Sequence, residues 1–240
     1  MKQAMIFAAG LGTRLRPLTD TMPKALVPVG GRPLLHHVIE RLKAAGFERI
    51  VINVHHLAEQ IVADVEANNS FGLDVHISDE RSLLLETGGG LRKAASLFDP
   101  SSPILIHNVD ILSNADLSAF YDSLPIDAAA ALLVSERKST RQLQFSPADN
   151  RLVGWQNLKT GEVRGKRSSK ARAFSGIHLF SPTLLPLMQE WPERFSIIDF
   201  YLHICNSHTI LGVEQAGLQL IDVGKIDTLA DAEQFLANNS

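Results

Sequence analysis

The stretch AAGLGTRLRPLT, residues 8–19, decides how this chain folds. Just before and into it runs the apolar segment Ala4–Ala9, which gives way at Gly10 and Gly12. A short apolar run ending at glycines fits a strand buried on both faces of a parallel sheet. A glycine turn at its end brings backbone amides close enough to bind phosphate oxygens. Arg14 and Arg16 follow at once, and Lys24 comes a few residues later, between Pro23 and Pro28, which hold the segment extended. Arg14 suits a bidentate clamp on phosphate and the stabilisation of charge on a leaving pyrophosphate. Neither common phosphate motif is present. The dinucleotide fingerprint G-x-G-x-x-G fails because its third place is Leu15, and G-x-x-x-x-G-K-S/T is absent.

Outward from this turn the elements alternate. Pro33 opens a helix whose apolar face is Leu34, Leu35, Val38, Ile39 and Leu42, and Gly46 stops it. Strands are expected at 49–54, 73–78, 103–107 and 128–135, with helices at 58–67 and 90–98 between them. Such β-α-β-α order implies a parallel sheet with helices on both faces. From about residue 136 the chain reads as hairpins and turns, including a basic loop at 161–172. A strand at 174–180, helices over PTLLPLMQEW and IIDFYLHICN, a strand at 218–224 and a closing helix capped by Asp227 complete it. No repeat or flexible linker divides the 240 residues. One domain is expected, with a first half at 1–135 and an elaboration at 136–240.

The bulk properties narrow the function. Hydrophobic content of 45% supports a sizeable core, and the net charge of −3 argues against a nucleic-acid partner. No apolar run approaches the length of a membrane span, and the N-terminal run is too short and broken for a signal peptide. Cys205 is the only cysteine, so no intrachain disulfide forms and a cytoplasmic location is expected. It lies in an apolar helix, and no G-x-S-x-G is present, so a nucleophile is lacking. The pairs His36, His37 and His55, His56, with His36 and Glu40 at helical spacing, lack a third partner for zinc.

Three further segments bear on chemistry. LLETGGGLRKA, residues 84–94, reads either as a turn before a helix or as a side-chain-free surface against which a planar base can lie. Asn108 and Asp110 follow a buried strand, at the carboxyl edge where α/β sheets bind ligands. Asp222 ends a later strand. A carboxylate after a strand is commonly a turn or cap. Two of them beside a phosphate loop suit Mg²⁺, a hard ion that takes oxygen ligands.

FAAGLGTRLRPLT followed by PKALVPV resembles the signature of the sugar-phosphate nucleotidyltransferases. LETGGG resembles the matching segment of bacterial N-acetylmuramate-1-phosphate uridylyltransferases and of some mannose-1-phosphate guanylyltransferase relatives. The resemblance implies a Rossmann-like, GT-A-like three-layer α/β/α fold with a mixed, mostly parallel sheet and a small sugar-binding elaboration. It assigns Ala8, Gly10, Leu11, Gly12, Thr13, Arg14, Lys24, Glu86, Thr87, Gly88, Gly89 and Asn108 to the nucleotide. Arg14 and Lys24 contact its phosphates, and Asp110 and Asp222 bind Mg²⁺; these four are the catalytic set. On the sugar side it points to Ser175 and Gly176 in FSGIHLF, to Glu214, and to Gln142 with Arg141 in the hairpin region that in such relatives faces the sugar phosphate. The chain departs from the family pattern at Val109, where glycine is usual, at Leu220, where an aromatic is usual, and at Lys225, where threonine is usual. The implied reaction joins an NTP to a sugar 1-phosphate and releases pyrophosphate. UTP with N-acetylmuramate 1-phosphate is the leading pair. GTP with mannose or heptose 1-phosphate, CTP with phosphocholine, and a regulatory protein that binds nucleotide sugars without turnover are the alternatives. A monomer or small homo-oligomer is expected.

Overall fold

The computed structural model describes residues 1–239. Strand β1 (Lys2–Phe7) leads into the glycine turn, and a small hairpin of β2 (Pro28–Val29) and β3 (Arg32–Pro33) precedes helix α1 (Leu34–Ala44). β4 (Phe47–Val54), α2 (Ala58–Ala67) and β5 (Asp74–Asp79) follow. β4 lies parallel to β1, with Phe7 opposite Asn53, and β5 lies parallel to β4. The chain then reverses direction across the sheet. α3 (Glu86–Ala94) returns it so that β6 (Ile104–Asn108) pairs with the other edge of β1, Phe7 facing Asn108. The crevice beyond the carboxyl ends of β1 and β6 is therefore a topological switch point, where open α/β sheets bind ligands.

β7 (Ile111–Ser113), α4 (Leu117–Asp122) and β8 (Ala130–Ser135) continue the chain, followed by the antiparallel β9 (Arg141–Phe145), β10 (Leu152–Asn157) and β11 (Val163–Gly165). The long β12 (Lys170–Phe180) makes the sheet mixed. Its first residues pair with β9, its last run antiparallel to β6, and its other edge takes β8. The register shifts between Phe174 and His178, where Gly176 adopts φ +75°. α5 (Ile197–Ile204), β13 (Ile210–Val213), β14 (Leu220–Asp222) and α6 (Leu229–Asn238) complete the chain. β13 runs parallel to β8, and β14 pairs with β7.

Alternation along β1 explains the layers. Ala4 and Ile6 join one buried cluster with the apolar faces of α1, α2 and α4, while Met5 and Phe7 join another with Leu91 of α3 and Phe200 of α5. Successive strand residues point to opposite faces, so a strand buried on both sides feeds two cores.

Four expectations need correction. Helix α3 starts at Glu86, not at Gly90, so the glycines lie inside its first turns. The 161–172 segment is not one loop, since it contains β11 and the start of β12. PTLLPLMQEW forms a 3-10 helix over Pro182–Glu190, because Pro186 has no N–H for an α-helical ladder. α6 is preceded by a 3-10 turn over Ile226–Thr228, and Thr228, not Asp227, occupies its N-cap place.

Candidate active site

The glycine turn is built by its own backbone. Gly12 adopts φ +63°, and its carbonyl accepts from the Leu15 N–H and the Thr19 hydroxyl, both at 2.8 Å. A Cβ there would stand 2.8 Å from Thr19 Cγ2 and 3.1 Å from Lys24 Cβ, so only glycine lets the loop fold this tightly. The fold-back brings Lys24 to Asp110, and the two form a mostly buried ion pair. Leu11, Thr13 and Arg14 stay on the exposed side of the loop.

Asp222 arrives from the far end of the chain. β14 pairs with β7 so that Asp222 stands opposite Ile111, and the Val223 N–H donates to the Asp110 carbonyl at 2.8 Å. The two aspartates are thus held side by side by backbone bonds. Gly224 leaves room for the charged groups around it. A Cβ at that position would lie 2.7 Å from Asp222 Oδ1 and 2.9 Å from an Arg14 guanidinium nitrogen. Arg14 and Asp222 therefore approach the same point, while Lys24 and Asp110 meet beside it. Two aspartates on backbone-linked segments, with no sulfur or imidazole among them, offer the oxygen donors that Mg²⁺ takes.

Behind these charges lies a cavity of about 370 Å³, lined in part by Phe7, Gly10, Lys24, Thr87, Asn108 and Asp110. Its deep wall is a polar network that the sequence reading missed. The Ala8 N–H donates to Asn53 Oδ1 at 2.8 Å, and Asn53 Nδ2 donates to Glu80 Oε1 at 2.7 Å. The Leu85 N–H donates to Glu80 Oε2 at 3.1 Å. Asn53 is 3% and Glu80 0% exposed. Burial pushes the Glu80 carboxyl above the usual carboxylate range, against the lowering effect of its hydrogen bonds. One signal was available: Asn53 interrupts the apolar run RIVINV at its carboxyl end. A buried polar side chain there needs partners. Ser196, which caps α5 by accepting from the Ile198 N–H, also lines the cavity and was likewise missed.

The triple glycine serves packing. A Cβ on Gly88 would lie 2.3 Å from the Phe195 ring, one on Gly89 2.4 Å from the Glu193 carbonyl, and one on Gly90 2.6 Å from Glu80 Oε1. The Gly88 and Gly89 N–H groups both donate to the Phe195 carbonyl. The expected open platform at Gly88 and Gly89 is therefore absent, because this face of α3 docks on residues 193–197. Glu86 and Thr87 do line the cavity. Glu86 sits at φ +61° and pairs with Arg194, and the Thr87 hydroxyl accepts from the Ile197 N–H.

The residues expected on the sugar side are dispersed. Gly176 packs against Asn108 and Ile111, close to the cavity. Ser175 is buried beside it. Gln142 lies on β9, opposite Gln156. Glu214 follows β13 and is bound by Lys170 and Arg172. Burial works to raise its carboxyl, but these two cations outweigh that and hold it below the usual range. At the departures, Val109 packs into the core, Leu220 packs against it, and the Lys225 backbone closes a turn with the Thr228 hydroxyl. Of the histidines, His36 meets Asp64, His37 the Val29 carbonyl and His55 the Glu80 carbonyl. Among the described residues no helix is long and apolar enough to cross a membrane.

The family described as nucleotidyl transferase matches residues 3–144. Over 246 residues the chain is 34% identical to the N-acetylmuramate alpha-1-phosphate uridylyltransferase of Caulobacter vibrioides, covering 98% of this chain and 97% of that one. It is 36% identical to the enzyme of the same name from Neisseria meningitidis serogroup B, covering 96% of each. HddC from Yersinia pseudotuberculosis, solved with GMP-PN, superposes with a TM-score of 0.79 at 21% identity, over 98% of this chain and 100% of that one. The inositol-1-phosphate CTP transferase of T. maritima also gives 0.79, at 17% identity, over 100% of this chain and 96% of that one. These structures share the GT-A-like fold. The chain belongs to the nucleotidyl transferase family and is a nucleotidyltransferase enzyme.

Proposed function

We propose that the enzyme transfers a uridylyl group from UTP to N-acetylmuramate 1-phosphate, or a related hexose 1-phosphate, and releases pyrophosphate. The observations that carry this reading are the Lys24–Asp110 pair in the switch-point crevice, the approach of Arg14 and Asp222 at Gly224, and the Val223–Asp110 backbone bond that ties the two together. The choice of UTP and N-acetylmuramate 1-phosphate is supported by end-to-end similarity to two uridylyltransferases of that name.

In this reading the 1–135 half holds the nucleotide and the 136–240 half the sugar. Gly10, Leu11, Gly12 and Thr13 cradle the triphosphate with backbone amides, next to Ala8, whose own N–H is taken by Asn53. Glu86, Thr87 and Asn108 border the nucleoside. The sugar phosphate is already an anion, so its oxygen attacks the α-phosphorus in line without a general base. Catalysis is then positioning and charge neutralisation. Lys24 exchanges part of its pairing with Asp110 for a phosphate oxygen, and Arg14 stabilises the departing pyrophosphate. Asp110 and Asp222 are the residues that would hold Mg²⁺, which supplies positive charge to the reacting phosphates.

The test is a pyrophosphate-release assay with four NTPs crossed against sugar 1-phosphates and phosphocholine, with Mg²⁺ present. Highest turnover is expected for UTP with N-acetylmuramate 1-phosphate. A maximum with GTP and mannose 1-phosphate, or with CTP and phosphocholine, would replace the substrates. Silence in every combination, from a folded protein that NTP stabilises against heat, would favour a binding protein without turnover.

A further inference from the structure

A second cavity, of about 240 Å³, lies in the 136–240 half, lined by Arg137, Arg141, Leu143, Trp155 and Phe174, with Ile198 and Ser139 at its edge. It is smaller than the roughly 300–1,000 Å³ typical of a whole small-molecule site, so its size suits one substituent of a larger ligand. It neighbours the nucleotide crevice through two elements. Phe174 is two residues from Gly176, which packs on Asn108, and Ile198 is two residues from Ser196, which lines the crevice.

The charges in this region are unevenly matched. Arg151 pairs with Asp149, Arg164 with Glu162 and Asp199, and Arg172 with Glu136 and Glu214. Arg137 and Arg141 have no carboxylate partner among the described residues. The Arg137 guanidinium donates to the Phe174 carbonyl at 2.8 Å, which fixes its place and leaves other donors free. The Arg164 guanidinium lies 4.1 Å from the centre of the Trp155 ring, and its charge is met by Asp199. Two unmatched arginines over an apolar floor of Leu143, Trp155 and Phe174 describe a site for an anion carried on an apolar stem. On the proposed reading the sugar phosphate reacts beside Lys24 and Asp110 in the other cavity, so an anion held here is a second one, and Arg141 does not take the sugar phosphate as the resemblance implies.

We propose that Arg137 and Arg141 form a subsite for a carboxylate borne by the sugar of the sugar 1-phosphate. This rests on the nucleotidyl-transfer reading above and deepens it. N-acetylmuramate differs from N-acetylglucosamine only by a lactyl ether ending in a carboxylate, so the subsite gives the enzyme a means of telling the two apart. A planar guanidinium pair matches a carboxylate through parallel N–H bonds.

The experiment measures kcat/KM at saturating UTP for two substrate pairs: N-acetylmuramate against N-acetylglucosamine 1-phosphate, and glucuronate against glucose 1-phosphate. Arg137→Ala, Arg141→Ala and Arg141→Lys are compared with the parent, and UTP-dependent thermal stabilisation confirms that each variant is folded. Each alanine variant should lower the preference for the carboxylate member of a pair about tenfold or more, as expected for loss of a charged hydrogen bond. Arg141→Lys should recover part of that loss. If the parent ignores N-acetylmuramate 1-phosphate yet prefers glucuronate, and the variants erase the preference, the subsite stands and the substrate reading falls. A parent with no carboxylate preference in either pair, or variants that weaken both members equally, overturns the subsite.

Discussion

Replacing Asn53 with alanine should destabilise the protein severely, because its side chain ties β1 to Glu80. Asn53 Oδ1 is the acceptor for the buried Ala8 N–H, and its Nδ2 is one of two donors to the Glu80 carboxylate. With Asn53 3% and Glu80 0% exposed, water is poorly placed to take over either bond. An orphaned buried amide costs about 1–3 kcal/mol, and an under-satisfied carboxylate costs more, so a total of roughly 3–5 kcal/mol is expected. For a chain of this size that corresponds to a fall in Tm on the order of 10 °C. The loss should also depend on pH. Burial already raises the Glu80 carboxyl above its ordinary value, and removing the Asn53 donor raises it further. A carboxyl raised in the folded state contributes stability at pH below its ordinary value and loses it as pH rises through the folded value. The deficit of Asn53→Ala should therefore be larger at about pH 8 than at about pH 5. Thermal melts followed by circular dichroism at both pH values measure it. A Tm within 2 °C of the parent (about 0.5–1 kcal/mol), or a deficit that grows on acidification, would refute the network as described.

Other outcomes follow from the same geometry. Arg14→Ala should lower kcat on the order of 10²-fold with little change in Tm, and unchanged kinetics would remove Arg14 from the site. Asp222→Asn should leave the fold intact but raise the Mg²⁺ concentration needed for half-maximal rate; full activity at limiting Mg²⁺ would sink the metal assignment. Gly88→Ala puts a methyl 2.3 Å from the Phe195 ring and should cost about 1–3 kcal/mol in urea unfolding, whereas a neutral result would show that α3 is not docked there.

The sequence revealed most where periodicity and buried composition agree. Helix α2 occupies the expected residues 58–67, and β1, β4, β6 and β8 lie where apolar runs end at polar or glycine residues. The tight turn at Gly12 is legible because glycines and cations sit within a few residues of each other. What local sequence could not carry was tertiary. Gly88 and Gly89 looked like an open surface until Phe195 and Glu193, over a hundred residues away, were placed against them. Glu80 has nothing in its local sequence to distinguish a buried hub from a solvated charge; only β4 and α3 packing on either side of it make the difference. Glu214 ends a strand as a sugar-binding acid would, yet two cations from β12 claim it.

The proposed reaction is defined by which phosphorus is attacked and by what. UTP radiolabelled in its α-phosphate, incubated with N-acetylmuramate 1-phosphate and Mg²⁺, distinguishes the possibilities when the products are separated and identified by mass. The label is expected in a UDP-sugar, in amounts equal to the unlabelled pyrophosphate released. Label remaining wholly in UTP, or appearing in UDP or UMP without a sugar conjugate, would contradict it.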